Sequence, residues 1–137
     1  MRIPIAALTA FLLSFSAIAN ANSNCPAGWV PLETTESNRK ICLDLKRMVK
    51  NGELHQTRVV SRWGAVQTVD DGTIKFRSVL QLVILNCNTG QTAIKSMKFF
   101  SNGQGSGIPI KSMDFASEQL VWDEPFPAKE RQLICAS

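Results

Sequence analysis

Apolar and polar side chains alternate along much of the chain, and a period of two residues is typical of β-strands. Near the start of this pattern, Ile41, Leu43 and Leu45 alternate with Cys42 and Asp44. Successive side chains on a strand point to opposite sides, so the three aliphatic residues share one face and the other two share the opposite face. We therefore predict a strand here whose apolar face lies in a core.

The same alternation predicts further strands, separated by short polar segments. They are expected at residues 29–32, 54–69, 73–87, 92–100 and 108–113. Pro31 favours an edge position for the first of these strands, and Gly64 favours a bend in the long one. Turns are predicted at Asn51-Gly52, Asp70-Asp71-Gly72 and Asn88-Thr89-Gly90. Residues 46–50 are predicted as a helical turn, and residues 101–107 as a flexible connection.

The segment at 73–87 carries the strongest strand pattern in the chain. Its even-numbered side chains, including Phe76 and Leu82, are mostly apolar and are predicted to face the core. Its odd-numbered face begins with Lys75 and Arg77 and becomes apolar towards Cys87. Because a strand with two apolar faces is normally covered on both sides, another segment should lie over the far end of the odd-numbered face.

The C-terminal segment has a different composition and predicts a helix. Pro127 is a favourable first residue for a helix, and residues 128–133 are good helix formers. Together with the strands, this segment predicts an α+β fold. We expect an antiparallel sheet of about six strands with the short C-terminal helix packed on it and held by disulfides.

Residues 1–21 have the features of a secretory signal peptide. Arg2 precedes an uncharged run at 3–18, and small residues at both A-x-A positions near its end suit cleavage. A membrane anchor is the alternative, but the run is shorter than the ~20 residues that span a bilayer. Cys25 does not follow the leucine and small residues that a lipoprotein site needs. We predict removal of the leader, no transmembrane anchor in the mature chain, and one domain at 22–137.

The charge is mildly basic. The formal net charge is +4, and loss of Arg2 with the leader lowers it by one. Such a balance is not diagnostic of a nucleic-acid-binding domain, so we predict no nucleic-acid partner. The strand pattern brings together one candidate binding patch, formed by Lys75, Arg77, Lys95 and Lys98. A patch of this kind would hold a polyanion such as a heparin-like sugar or lipid headgroups, while a solubilising face is the simpler interpretation.

All four cysteines follow the leader. Exported proteins meet an oxidising environment, so these thiols favour disulfides, and three pairings are possible. We favour Cys25 with Cys42 and Cys87 with Cys135. The second pair would clamp the tail onto the strand face that needs a cover. A zinc site is the alternative, and it is disfavoured because the spacings are long, no C-x-x-C occurs and His55 is the single histidine.

No set of residues predicts catalysis or cofactor binding. His55 lies beside a turn and is interpreted as an exposed or hydrogen-bonded surface residue, with a general base beside a serine as the alternative. Asp70 and Asp71 precede Gly72 and fit a turn better than a carboxylate pair. The glycines at 103–107 lack the Lys-Ser/Thr of a phosphate loop. We therefore predict no catalytic residue, no metal and no cofactor.

Several features of the C-terminal half follow an order found in a known family. They are an apolar strand from Arg77 to Asn86-Cys87, a strand ending at Phe99-Phe100, the glycines at 103–107, Trp122, the prolines at 125–127, and a helix ending in Leu133-Ile134-Cys135. In this order and approximate spacing the segment resembles the bacterial surface-adhesin protein E family. Asn86 stands where that family usually has an aspartate.

The resemblance implies an antiparallel sheet with a helix against it, and a strand cysteine bonded to a helix cysteine. It also implies export in Gram-negative bacteria and adhesion to host matrix and plasma proteins. We therefore expect an exported, non-enzymatic binding module with a protein partner, located in the periplasm or at the cell surface. A periplasmic accessory protein that binds another envelope protein is the alternative, and a small exported hydrolase is a third. Fold transfers across a family better than function, so the ligand is left open.

Overall fold

A computed structural model describes residues 25–32, 38–123 and 128–136. Its strands are β1 (Val30–Leu32), β2 (Arg39–Asn51), β3 (Leu54–Val69), β4 (Ile74–Asn86), β5 (Thr92–Phe100) and β6 (Lys111–Asp114), followed by a 3₁₀ turn at Ser117–Gln119 and helix α1 (Ala128–Cys135). The six strands form one antiparallel sheet in the order β1 to β6, so each strand pairs with its neighbours in the sequence. The predicted meander with a C-terminal helix is confirmed, and most of the described chain is sheet. The leader predicted at 1–21 lies outside the described residues.

The strand bounds follow the alternation to within one residue at most positions, with two larger differences. β3 and β5 begin and end at the predicted residues, whereas β6 begins at Lys111 instead of residue 108. The helical turn predicted at 46–50 is wrong, because β2 continues as a strand to Asn51. Its pairing with β3 shifts between Asp44 and Val49, and the strand then runs on to the turn. Pairing of Val49 and Lys50 with β3 thus resumes beyond the irregularity, and the strand prevails over the local helix preference of this segment.

The apolar core lies on the sheet face that α1 covers. Leu43, Leu85 and Ile134 are fully buried there, and Val59 and Val83 complete the cluster. The side chain of Ile134 comes from α1, so the helix closes this face by packing an aliphatic side chain against the strands. The covering segment predicted for the far end of β4 is thus the C-terminal helix.

The predicted core face of β4 is only partly correct. Phe76 at the start of the strand is buried, as expected, but further along the buried apolar side chains are the odd-numbered Val79, Val83 and Leu85. Leu82, on the even-numbered side, is only half-buried. The odd-numbered face is the more buried one because α1 packs against it.

A second apolar cluster extends the core beyond the helix. Phe76, Val79 and Phe99 are buried together, with Trp63 packed against them. The Phe76 ring meets Trp63 edge-on at a centroid distance of 5.6 Å and Phe99 at 5.0 Å. Edge-to-face aromatic pairs at such distances add about 0.5–1.5 kcal/mol beyond the area that they bury.

Both predicted disulfides are present. Cys25 bonds Cys42 and Cys87 bonds Cys135, with Cα–Cα distances of 5.6 Å and 5.7 Å. The second bond fastens the end of α1 to the residue that follows β4. No helix in the described ranges is long and apolar enough to cross a membrane.

His55 is not the surface residue that the sequence predicted. Its side chain is 8% exposed, and Nδ1 lies 3.2 Å from the backbone oxygen of Ile134 in α1. The cause is the position of the tail, which the strand pattern alone does not place over β3. The residue therefore belongs to the contact between the helix and the sheet.

Candidate binding site

The register spreads the predicted basic patch along two strands. Lys75 pairs with Thr68 near one end of β4, whereas Lys98 pairs with Leu80. At ~3.3 Å per residue, the five positions between 75 and 80 separate these two cations by roughly 16 Å of strand. Lys95 lies at the irregularity in the pairing of β4 with β5. The patch therefore remains a prediction. Arg77 instead lines a cavity together with Lys40 and Arg62.

Three cations meet in a cavity near the point where the pairing of β3 with β4 shifts, just after Arg62. The cavity has a volume of about 410 Å³ and is lined by Asn38, Lys40, Arg62, Trp63, Gly64, Arg77, Gly103 and Gln104. Lys40 and Arg62 are direct cross-strand partners on β2 and β3. Among the described residues that line it, three are basic and none is acidic, so the cavity is electropositive.

Backbone carbonyl groups hold the two guanidinium groups in place. The Nε–H of Arg62 donates to the carbonyl oxygen of Gly103, and Arg77 Nη2 donates to that of Gly64 at 3.0 Å. Within the described parts of the chain, neither arginine forms an ion pair with a carboxylate. Arg58 differs, because it donates to Asp44 Oδ2 at 2.6 Å. The charges of Arg62 and Arg77 therefore remain available to a ligand.

The segment at 101–107 forms one wall of this cavity and is held by hydrogen bonds. The buried Ser78 hydroxyl donates to Asn102 O at 2.7 Å and accepts from the Gly105 N–H at 2.9 Å. The Asn102 side chain in turn accepts from the Gln104 N–H at 2.8 Å and donates to Ser106 O at 2.8 Å. The connection that the sequence predicted as flexible is thus fastened to β4.

A second depression continues the first. It has a volume of about 350 Å³ and is lined by Cys25, Pro26, Arg62, Gln104 and Ser106. Arg62 and Gln104 line both cavities, so the two adjoin at these residues. We call this surface the basic groove.

The outer side of the sheet at β6 exposes large apolar side chains. Ile108 is 92% exposed and Ile110 49%, just before β6, while Val121 is 71% exposed and Trp122 38%, after it. The Phe115 N–H donates to Lys95 O and the Asp123 N–H to Thr92 O, so this segment follows the edge of β5. We call the four apolar residues the edge surface. A depression of about 170 Å³ at Val121 is lined by Ile94, Met97, Phe115, Gln119, Val121 and Asp123.

A further cavity lies between α1 and the sheet. Its volume is about 300 Å³, and its mostly apolar lining includes Ile41, Val59 and Ile94. Glu130 borders it, and one of its carboxylate oxygens is buried without a hydrogen-bond partner in the described structure. That oxygen is closed off from solvent, so the cavity does not offer it to a ligand.

Among the described residues, one cluster contains three side chains of types that can bind a metal ion. It consists of His55, Cys87 and Cys135, whose potential ligand atoms lie within 4.8 Å of one another. The two sulfur atoms are bonded to each other. Zinc binds the thiolate form of cysteine, which a disulfide cannot supply. The group therefore acts as a structural contact between β3, the end of β4 and α1.

Solved structures with a similar fold come from Haemophilus influenzae protein E. One is 18% identical in sequence, with a TM-score of 0.57 over 81% of this chain and 86% of that chain. A selenomethionine form is 17% identical, with a TM-score of 0.58 over 82% and 88% of the two chains. Protein E from a non-typeable strain is 16% identical, with a TM-score of 0.52 over 81% and 77%. At these identities the likeness concerns the fold.

Comparison with curated protein sequences gives no significant match. A family model does match, and it covers residues 29–136, which include every strand and the helix described above. The model is that of surface-adhesin protein E. With a match over most of its length and the same fold as solved protein E structures, the chain belongs to the surface-adhesin protein E family.

Proposed function

We propose that this protein is an exported, non-enzymatic adhesin module that binds an extracellular host protein through the edge surface. Family membership supports an adhesin-like role, and the two disulfides suit an exported protein. The observation that carries the proposal is the exposure of Ile108 and Val121 on either side of the edge strand β6. Export requires the leader at 1–21, which we propose is cleaved.

Large aliphatic side chains at such exposure favour a partner that removes them from water. Full burial of an isoleucine or valine is worth about 1.5–3 kcal/mol, so the edge surface offers a substantial gain on binding. Scattered exposed apolar residues are ordinary on protein surfaces. Here, however, all four residues of the edge surface lie along one edge of the sheet. Ile110 is hydrogen-bonded opposite Phe99, while Val121 and Trp122 precede Asp123, which is hydrogen-bonded opposite Thr92, so the two pairs stand roughly 23 Å of strand apart.

The shape of this surface suits a protein better than a small molecule. The depression beside Val121 holds about 170 Å³, below the ~300–1,000 Å³ of small-molecule sites. A cavity of this size accommodates one apolar side chain from a partner, as at the centre of many protein interfaces. The outer side of β6 also presents backbone groups to which an extended segment of a partner can add.

Binding of the mature protein to immobilised plasma proteins and solubilised extracellular matrix tests the proposal. The double variant Ile108→Ser/Val121→Ser should bind at least about tenfold more weakly, because two anchors are lost. Val49→Ser is the matched control, since Val49 is 57% exposed but lies on β2, at the other side of the sheet. Equal binding by the double variant and the control would contradict a role for the edge surface.

The cellular location decides between an adhesin and a periplasmic accessory protein. An adhesin is accessible to added protease on intact cells, whereas a periplasmic protein is protected until osmotic shock releases it. We expect accessibility on intact cells. Protection from protease together with retained binding to an envelope protein would favour the accessory role.

The hydrolase alternative depends on His55, which the structure places under α1. A general base must reach the proton that it removes from a substrate. His55 is 8% exposed and lies next to the backbone of Ile134, so a substrate has little access to it. This position supports a non-enzymatic role.

A further inference from the structure

We propose that the basic groove binds a saccharide chain that carries tetrahedral oxyanions, either sulfate or phosphate groups. The inference concerns a different surface from the edge surface and does not rest on the protein-binding role proposed above. It follows from the charge, the fixed geometry and the length of the groove.

The positive charge of the groove favours an anionic ligand. Lys40, Arg62 and Arg77 line the first cavity, and the described residues that line it include no carboxylate. Arg62 also lines the adjoining cavity, where Cys25, Pro26, Gln104 and Ser106 add no opposing charge. Cavities that carry one sign of charge focus the electrostatic field and raise the local concentration of the opposite ion.

The arginine geometry selects a tetrahedral oxyanion. The planar guanidinium group donates several N–H bonds in a fixed fork that matches phosphate and similar oxyanions. Arg62 uses its Nε–H on Gly103, and its two terminal nitrogen atoms have no hydrogen-bond partner among the described residues. Arg77 uses one terminal nitrogen on the Gly64 carbonyl. Each arginine is therefore fixed by one bond and keeps donors for a ligand.

The wall of the groove is already ordered. Ser78, buried at 0% exposure, fastens the 101–107 segment through Asn102 and Gly105. A binding surface that is ordered before the ligand arrives avoids the entropic cost of fixing loops and side chains on binding. The arrangement of Arg62 against Gly103 should therefore persist in the free protein.

The length and composition of the groove favour a sugar chain over a lone ion. The two cavities, of about 410 and 350 Å³, adjoin at Arg62 and Gln104, so a ligand longer than a single ion can contact both. The Gln104 and Asn38 amides offer hydrogen bonds for hydroxyl groups, and Trp63 adds an apolar wall. Alternating hydroxyl, apolar and oxyanion groups are the chemistry of sulfated or phosphorylated saccharides.

Two sources of this chemistry are tested as separate arms. In the first, a heparin-derived hexasaccharide is titrated into the mature protein by calorimetry. In the second, vesicles that contain the phosphorylated disaccharide lipid A are mixed with the protein, and vesicles of neutral lipid serve as the blank. Binding in either arm supports the groove and identifies the source, and binding in neither overturns the proposal.

The variants separate a built site from attraction by net charge. Arg62→Gln/Arg77→Gln should weaken binding at least tenfold in the arm that binds. Lys46→Gln/Arg47→Gln removes the same charge from exposed positions on β2, outside both the groove and the predicted patch, and should weaken binding no more than twofold. Equal losses in the two double variants would overturn the proposal, because they would indicate unspecific attraction.

Two controls protect the result against misfolding and against confusion with protein binding. Arg77→Gln alone changes an exposed side chain, so it should stay folded if the double variant does not, and it should weaken binding at least threefold. The edge variant Ile108→Ser/Val121→Ser should bind the saccharide as the unmodified protein does. Loss of saccharide binding in that variant would contradict the assignment to the basic groove.

Discussion

At the scale of single residues, buried polar side chains fix the geometry of the sheet. Asp44 is 3% exposed, and its carboxylate accepts from Arg58 Nη2 at 2.6 Å. The Arg58 guanidinium also lies 5.5 Å from the ring centroid of Trp29, within the range of a cation–π contact. The segment before β1 is thereby held against the sheet next to the bond between Cys25 and Cys42.

The sequence placed Asp44 on the correct face but could not identify its partner. Alternation along one strand assigns side chains to faces, and it put Asp44 opposite Leu43, as found. The partner Arg58 follows from the register between β2 and β3, which pairs these two residues directly. A residue pattern along one strand contains no information on the register with the next strand.

Gly105 provides a test at this scale. Its φ is +68°, and a Cβ at this position would lie 3.0 Å from Val60 Cγ2. We expect Gly105→Ala to lower the free energy of unfolding by about 1–3 kcal/mol, because a left-handed backbone and a close contact both oppose the methyl group. Urea denaturation measures this loss.

Gly103→Ala is the matched control, because nothing lies within 4 Å of the added Cβ in the same segment. Its stability should change by less than about 0.5 kcal/mol. Equal destabilisation by the two substitutions would show that the 101–107 segment is not fastened as described.

At the scale of elements, the strands were predictable and some of their pairings were not. β3 and β5 were predicted with their observed bounds because alternation and turn residues agree there. The register between β2 and β3 could not be predicted in this way. Asn51 pairs with Leu54, and a hairpin without irregularities would continue that register and place Lys40 opposite Ala65. The irregularity after Asp44 instead brings Lys40 opposite Arg62, which creates the basic groove.

This shift explains why the sequence missed the basic groove. The four cations that were predicted as a patch were assigned by alternation within β4 and β5, where the strand pattern is strongest. Lys40 and Arg62 lie on strands whose relative offset depends on a bulge, and no residue type in 44–49 marks its length. Only Arg77 is common to the prediction and the groove.

The bond between Cys87 and Cys135 is the element-scale test. The chain-entropy model gives about 4 kcal/mol for its separation of 48 residues and about 3 kcal/mol for the 17 residues between Cys25 and Cys42. Cys87→Ala/Cys135→Ala should therefore lower the free energy of unfolding by more than Cys25→Ala/Cys42→Ala. The first pair also holds α1, and Ile134, over the core.

Denaturant unfolding of both double variants, followed by circular dichroism, measures the difference. The Cys87/Cys135 variant should in addition bind a hydrophobic dye, since release of α1 would expose Leu85 and Val83. A larger loss in the Cys25/Cys42 variant would contradict the assignment of the helix to a closing role.

At the scale of the whole molecule, the sheet has two unlike faces and two edges. α1 and the aromatic cluster close one face, while the 101–107 segment and residues 25–29 lie against the other through Val60 and Cys42. β1 and β6, the first and last strands, form opposite edges. The family resemblance implied the helix against an antiparallel sheet, whereas the contacts on the opposite face were not predicted.

Hydrogen exchange tests whether the central strands of the sheet are more stable than the edge strand β6. β3 and β4 are paired on both sides, whereas β6 has four residues and one neighbour in the described sheet. Backbone amides of Val60 and Leu82 should exchange at least about 100-fold more slowly than those of β6, because edge strands open without disturbing the core. Uniform protection across the six strands would indicate that β6 is covered in solution, for example by a second molecule.

The two disulfides follow one another along the chain, since Cys25–Cys42 is complete before Cys87 begins the second loop. In a polypeptide translocated from its N-terminus, the first two thiols emerge together and have no competitor. Cys87 emerges next, and its partner Cys135 follows 48 residues later. Oxidation in order of emergence thus yields the native connectivity, and maturation needs a thiol oxidant but no isomerase to reshuffle wrong pairs.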